Sequence, residues 1–67
     1  MMRITINGQS RSVAEALTLG QLVAELDLAG KRIAVERNGE VVPKSRHAET
    51  MVSDGDRFEI IVAVGGG

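Results

Sequence analysis

No disulfide and no Cys/His zinc cluster can hold this chain together, because its 67 residues include no cysteine and a single histidine, His47. Domains of this size fold on a narrow margin and commonly depend on such a staple. Stability must therefore come from regular secondary structure closed around Leu, Ile and Val. The length allows one domain, spanning 1–67, and leaves little room for an enclosed catalytic cleft. Phe58 is the one aromatic residue, which removes the stacking platform that single-stranded RNA binding requires. Eight basic and nine acidic residues nearly balance, so there is no electrostatic footprint for nucleic acid. No apolar run reaches membrane-spanning length, and the first residues lack a secretory-signal layout. The expectation is a soluble cytoplasmic protein with neither a nucleic-acid nor a membrane partner.

The order of hydrophobic periods narrows the fold. Met2 to Asn7 alternates apolar and polar residues, as a half-buried strand does. Asn7-Gly8 favours a tight hairpin turn, and Gln9 to Val13 returns as a polar edge strand. Thr18 with Gln21 predicts a capping box at a helix start, flanked by Leu17 and Leu22 as a hydrophobic staple. Leu19, Leu22, Val23 and Leu26 form one apolar stripe, and Gly30 is expected to end the helix in a left-handed conformation. Arg32 to Asn38 predicts a third strand, Asn38-Gly39 a second hairpin, and Glu40 to Val42 a return that Pro43 confines to a sheet edge. Lys44 to Thr50 is expected to be a solvated loop with a helical turn. Asp54-Gly55-Asp56 is a turn before the most apolar strand, Arg57 to Val64, whose Phe58, Ile60, Val62 and Val64 share one face.

One helix covers one face of a small sheet, giving a two-layer α+β domain. The last strand is too apolar for an edge. Placing it parallel to the first uses the helix-containing crossover that the sequence supplies. The expected architecture is a β-grasp, or ubiquitin-like, fold: a mixed sheet of four to five strands with one main helix.

Few residues offer chemistry. Ser45, His47 and Glu49 are close in sequence, but a catalytic triad is a geometry across a pocket and not a run in one loop. Asp54 and Asp56 lack the remaining ligands of a calcium loop, and Thr18-Leu19-Gly20-Gln21 lacks the repeated glycines and lysine of a phosphate loop. No metal site and no catalytic residue is expected. Gly65-Gly66-Gly67 has no structural task. One reading makes it a flexible leftover. The other notes that glycine, lacking Cβ, can thread a narrow channel and leave a terminal carbonyl open. ATP can convert such a carboxylate into an acyl-adenylate, from which a sulfur nucleophile displaces AMP. Combined with the β-grasp pattern, the second reading is favoured.

The opening Met2–Gly8, the stretch Val35-Glu36-Arg37-Asn38, Val42-Pro43, Asp54-Gly55-Asp56 and the ending Val64-Gly65-Gly66-Gly67 together resemble the ThiS family of bacterial sulfur carriers, over essentially the full chain. His47 departs from that pattern, where the family often carries tryptophan. The resemblance implies a carrier in thiamine thiazole synthesis, a co-substrate and not an enzyme. Gly67 would be adenylated by an E1-like (ThiF-type) adenylyltransferase using ATP. A sulfurtransferase or cysteine desulfurase would supply sulfur, and the Gly67 thiocarboxylate would deliver it to thiazole synthase (ThiG type). Gly65 and Gly66 would thread the tail into partner sites, and no cofactor would be bound permanently. Ile61 and Ala63, on the face opposite the helix, are candidates for partner docking. The alternatives are the small subunit of molybdopterin synthase, a lysine-conjugated modifier, and a β-grasp interaction module with an idle tail.

Overall fold

The computed structural model describes residues 1–63. Its regular structure consists of two hairpins, one α-helix, a 3-10 turn and a last strand. The first hairpin joins β1 (Met2–Ile6) to β2 (Gln9–Val13), and the second joins β3 (Ile33–Arg37) to β4 (Glu40–Val42). Each turn is an Asn-Gly pair with both residues at positive φ, 50° and 83° for Asn7-Gly8 and 51° and 88° for Asn38-Gly39. These are the angles of a type I′ turn, whose twist matches that of the flanking strands. The last strand, β5 (Arg57–Val62), lies in the centre of a five-stranded sheet of order β2-β1-β5-β3-β4. It runs parallel to β1 and antiparallel to β3. The α+β β-grasp expectation holds, and the two polar or proline-limited strands are the edges.

Helix α1 (Leu19–Glu25) starts where Thr18 and Gln21 predict, with both hydrogen bonds of the capping box formed. The free amides of its first turn all find acceptors. Leu19 N–H donates to the Thr50 carbonyl at 2.7 Å, Gly20 N–H to the His47 carbonyl at 2.8 Å, and Gln21 N–H to Thr18 Oγ1 at 3.1 Å. The segment 47–52 is thereby tied to the helix start, satisfying groups that a helix cannot satisfy alone. A Cβ at Gly20 would lie 3.5 Å from Ala48 Cα and from the His47 carbonyl oxygen, an ordinary contact. Gly20→Ala is accordingly expected to stabilise the fold by about 0.5 kcal/mol through the unfolded chain, read as a rise in the urea midpoint.

The helix ends earlier than expected. Asp27, and not Gly30, is the left-handed residue that stops it, with φ of 62°. Asp27 N–H donates to the Ala24 carbonyl and Leu28 N–H to the Val23 carbonyl, each at 3.0 Å. Those two bonds form a Schellman motif, and Leu28 packs against the core beyond it. Gly30 also has positive φ, at 84°, but in the following turn.

The core is the layer between α1 and the sheet. Leu17, Leu19, Leu22 and Val23 meet Ile4, Val13, Val35, Val52, Phe58 and Ile60 there. The staple residues Leu17 and Leu22 are both in it. The buried stripe of β5 stops at Ile60, however: Val62 is 41% exposed. Val64, expected on the same face, lies outside the described residues. No helix among the described residues is long and apolar enough to cross a membrane.

Candidate functional site

His47 and Asp56, the buried titratable side chains among the described residues, are both committed to structure. His47 is buried, with Nε2–H donating to the Val42 carbonyl at 3.0 Å. This corrects the expectation of a solvated loop: His47 fixes the 44–50 segment (including a 3-10 turn at Lys44–Arg46) against β4. Ser45 is exposed, and the Glu49 carboxylate lies 3.8 Å from Arg46 Nε instead of facing His47. No triad exists among these three.

The acidic turn before β5 is equally occupied. Asp54 Oδ1 accepts the Arg3 amide at 2.7 Å. Asp56, 5% exposed, accepts from Arg37 Nε at 2.9 Å, from the Ser53 amide at 2.8 Å and from Asn38 Nδ2 at 3.1 Å. A buried carboxylate needs such partners to remain charged at low cost. Among the described residues no three His, Asp or Glu side chains are placed to hold a metal ion.

These contacts hold β5 in place along its length. Asn38 Oδ1 accepts the Arg57 amide at 2.9 Å. On the other flank, where the first hairpin turns away, Asn7 continues the ladder with its side chain. Its Oδ1 accepts the Ile60 amide at 2.9 Å, and its Nδ2 donates to the Ile60 carbonyl at 3.1 Å. Each Asn therefore tolerates positive φ in a turn and also completes the pairing of β5. The doubled Asn-Gly signal was read for turns alone; two Asn-Gly turns flanking one central strand are the sign of this second role. Asn7→Asp keeps the acceptor for the Ile60 amide and loses the donor, leaving a carboxylate oxygen against the Ile60 carbonyl oxygen. We expect a loss of about 1 kcal/mol, measured by urea unfolding, with the hairpin retained.

At the end of β5, Ala63 N–H donates to the Arg32 carbonyl at 2.9 Å. Ile61 is 63% exposed, and Ala63 is also exposed. Both belong to the face away from α1, where alternation along β5 places them. Gly65, Gly66 and Gly67 lie outside the described residues. The arrangement is a clamped central strand leading toward the glycines, with no reactive cluster around its end among the described residues.

The ThiS family model matches residues 4–67. The chain belongs to the ThiS family. Sulfur carrier protein ThiS of Escherichia coli is 30% identical over 66 residues, covering 98% of this chain and 100% of that one. A thiazole synthase of Paramagnetospirillum magneticum is 44% identical over 66 residues, and the match covers 98% of this chain but 20% of that protein. This chain thus spans about a fifth of a relative that carries a ThiS-like stretch within a longer polypeptide. The crystal structure of the thiamine biosynthesis protein ThiS from Geobacter metallireducens superposes with a TM-score of 0.83 at 38% identity, covering 98% of this chain and all of that one. The ThiS fold and the β-grasp expectation agree.

Proposed function

We propose that this ThiS-family chain is a sulfur carrier of thiamine biosynthesis, whose reacting group is the Gly67 carboxylate. The observation that carries the reading is the family match running through residue 67, so that Gly65, Gly66 and Gly67 fall inside the matched stretch. Supporting it, the buried side chains of Asp56 and His47 are each engaged within the fold, Asp56 by Arg37 and His47 by the Val42 carbonyl of β4.

The chemistry divides between carrier and partners. In an E1-like adenylyltransferase, the Gly67 carboxylate oxygen attacks the α-phosphorus of ATP and pyrophosphate leaves, giving the acyl-adenylate. A persulfide sulfur from a sulfurtransferase or cysteine desulfurase attacks the acyl carbon, and AMP leaves. A thiol then cleaves the resulting acyl disulfide at its S–S bond, forming a new disulfide and releasing the thiocarboxylate. Thiazole synthase accepts that sulfur; the ThiS-like stretch within the P. magneticum thiazole synthase supports this pairing. Gly65 and Gly66 keep the approach to the acyl carbon free of side chains. The chain contributes a positioned carboxylate, and its partners contribute ATP and catalysis.

The test is intact mass after incubation with MgATP, the cognate adenylyltransferase and a persulfide source. Exchange of one terminal oxygen for sulfur is expected. An unchanged mass, with partners shown to be active, contradicts the reading.

A further inference from the structure

Asn7-Gly8 and Asn38-Gly39 carry a reactivity of their own. In an Asn-Gly pair the glycine amide nitrogen can attack the Asn side-chain carbon Cγ, because no β-carbon on glycine hinders the approach. An N–Cγ bond forms, the Cγ–Nδ2 bond breaks, and the side-chain nitrogen leaves as ammonia with the proton of the glycine amide. Water then opens the cyclic imide to aspartate or isoaspartate. The balance is one side-chain amide and one water converted into a carboxylate and ammonium, with no other reactant.

Both nucleophiles are available. Gly8 and Gly39 are exposed, a Cβ built on either would have nothing within 4 Å, and among the described residues neither amide finds an acceptor. The side chains they would attack are held. Asn7 is fastened at both ends to Ile60, through Oδ1 at 2.9 Å and Nδ2 at 3.1 Å. Asn38 is fastened through Oδ1 to the Arg57 amide at 2.9 Å and through Nδ2 to Asp56 Oδ1 at 3.1 Å. Ring closure turns Cγ onto the next amide nitrogen, so it competes with the bonds that turn each side chain toward β5.

The two turns differ in how readily they open. β1 and β2 pair at five positions, and Val13 at the end of β2 is buried in the core. β3 and β4 pair at three, and no residue of β4 is fully buried. A segment with few buried apolar contacts opens locally at low cost. The product is also worst tolerated at the second turn. Losing Nδ2 from Asn38 sets a second carboxylate against Asp56 Oδ1, while Arg37 Nε is already engaged with Asp56 Oδ2. Two such groups repel, and no donor is left between them. Isoaspartate in addition lengthens the backbone of a two-residue turn, which then departs from type I′ geometry.

We propose that Asn38-Gly39 is a self-modification site, converted to aspartate or isoaspartate at a rate set by opening of the second hairpin, and that the product does not refasten to Asp56. The chain thus ages irreversibly at the turn that fixes the start of β5. This goes beyond the carrier reading and does not depend on it.

The experiment incubates the full chain in mildly alkaline buffer, folded and in guanidinium chloride, and follows the mass gain of amide-to-acid conversion at each Asn by peptide mapping. In denaturant the two sites are expected to convert within about twofold of each other, as unstructured Asn-Gly pairs do. In the folded chain both slow, and Asn38 is expected to outrun Asn7 by at least ~10-fold, which corresponds to ~1.4 kcal/mol of difference in local opening. Global unfolding exposes both sites alike, so this ratio reports local opening alone. Equal rates at the two sites in the folded chain, or Asn7 converting first, overturn the proposal. The product mimic Asn38→Asp is expected to lower the urea midpoint; an unchanged midpoint overturns the claim that the product does not refasten.

Discussion

A chain lacking Gly66 and Gly67 is expected to fold as the full protein does and to acquire no sulfur. The core closes at Ile60, and the last described backbone bond of β5 is that of Ala63 to Arg32. Every core residue among those described lies ahead of the deletion, so the urea midpoint should stay within error of the wild type. The carboxylate, in contrast, moves back by about 7 Å. Misplacement of a reacting group by about 1 Å can cost about 10²-fold in rate, so thiocarboxylate formation should fall below detection by intact mass. Gly66→Val supplies the finer comparison. It retains the terminal carboxylate and adds a branched side chain beside it, so turnover should fall by at least ~10-fold for steric reasons. Full activity in the truncated chain would instead identify a binding module with an idle tail.

The largest effect on stability is expected at Phe58. It is the chain's one aromatic residue, it is 1% exposed, and it lies in the central strand in register with Ile6 on one side and Arg37 on the other. Truncating a buried Phe to Ala costs about 3–5 kcal/mol in transfer and cavity terms. A domain of this length has about 3–10 kcal/mol in total. Phe58→Ala should therefore be largely unfolded at moderate temperature, seen as loss of the cooperative urea transition by circular dichroism. Phe58→Leu, which keeps most of the volume, should retain that transition at a lower midpoint. A loss below about 1 kcal/mol for the alanine variant would mean that the core collapses around the vacancy.

Much of this fold is written in local chemistry. Asn7-Gly8 and Asn38-Gly39 form the turns that their tolerance of positive φ predicts, and Thr18 and Gln21 form the cap that their spacing predicts. The central place of β5 follows from its apolar composition. What escapes is what tertiary contacts decide. Asp27 ends the helix because the bonds to Val23 and Ala24 and the packing of Leu28 favour a stop there, although glycine is the commoner residue for that conformation. His47 looks like a loop residue until the Val42 carbonyl is seen beside it. Val62 alternates with the core residues yet is 41% exposed. The exposure of Ile61 and Ala63 follows from alternation along β5, whereas the opposition of Glu36 on β3 and Glu59 on β5 depends on a register between strands that sequence pattern alone does not set.

The position of β5 also determines how the protein takes a mechanical load. On the proposed carrier reading, an enzyme that draws the C-terminus into a channel would load this strand along its length. β1 and the Asn7 side chain hold one flank and β3 the other, with bonds running across the direction of pull. Such a strand cannot be peeled away one bond at a time; its lateral bonds must shear together. On that proposed reading, the domain would survive being seized by its end and released by one enzyme after another.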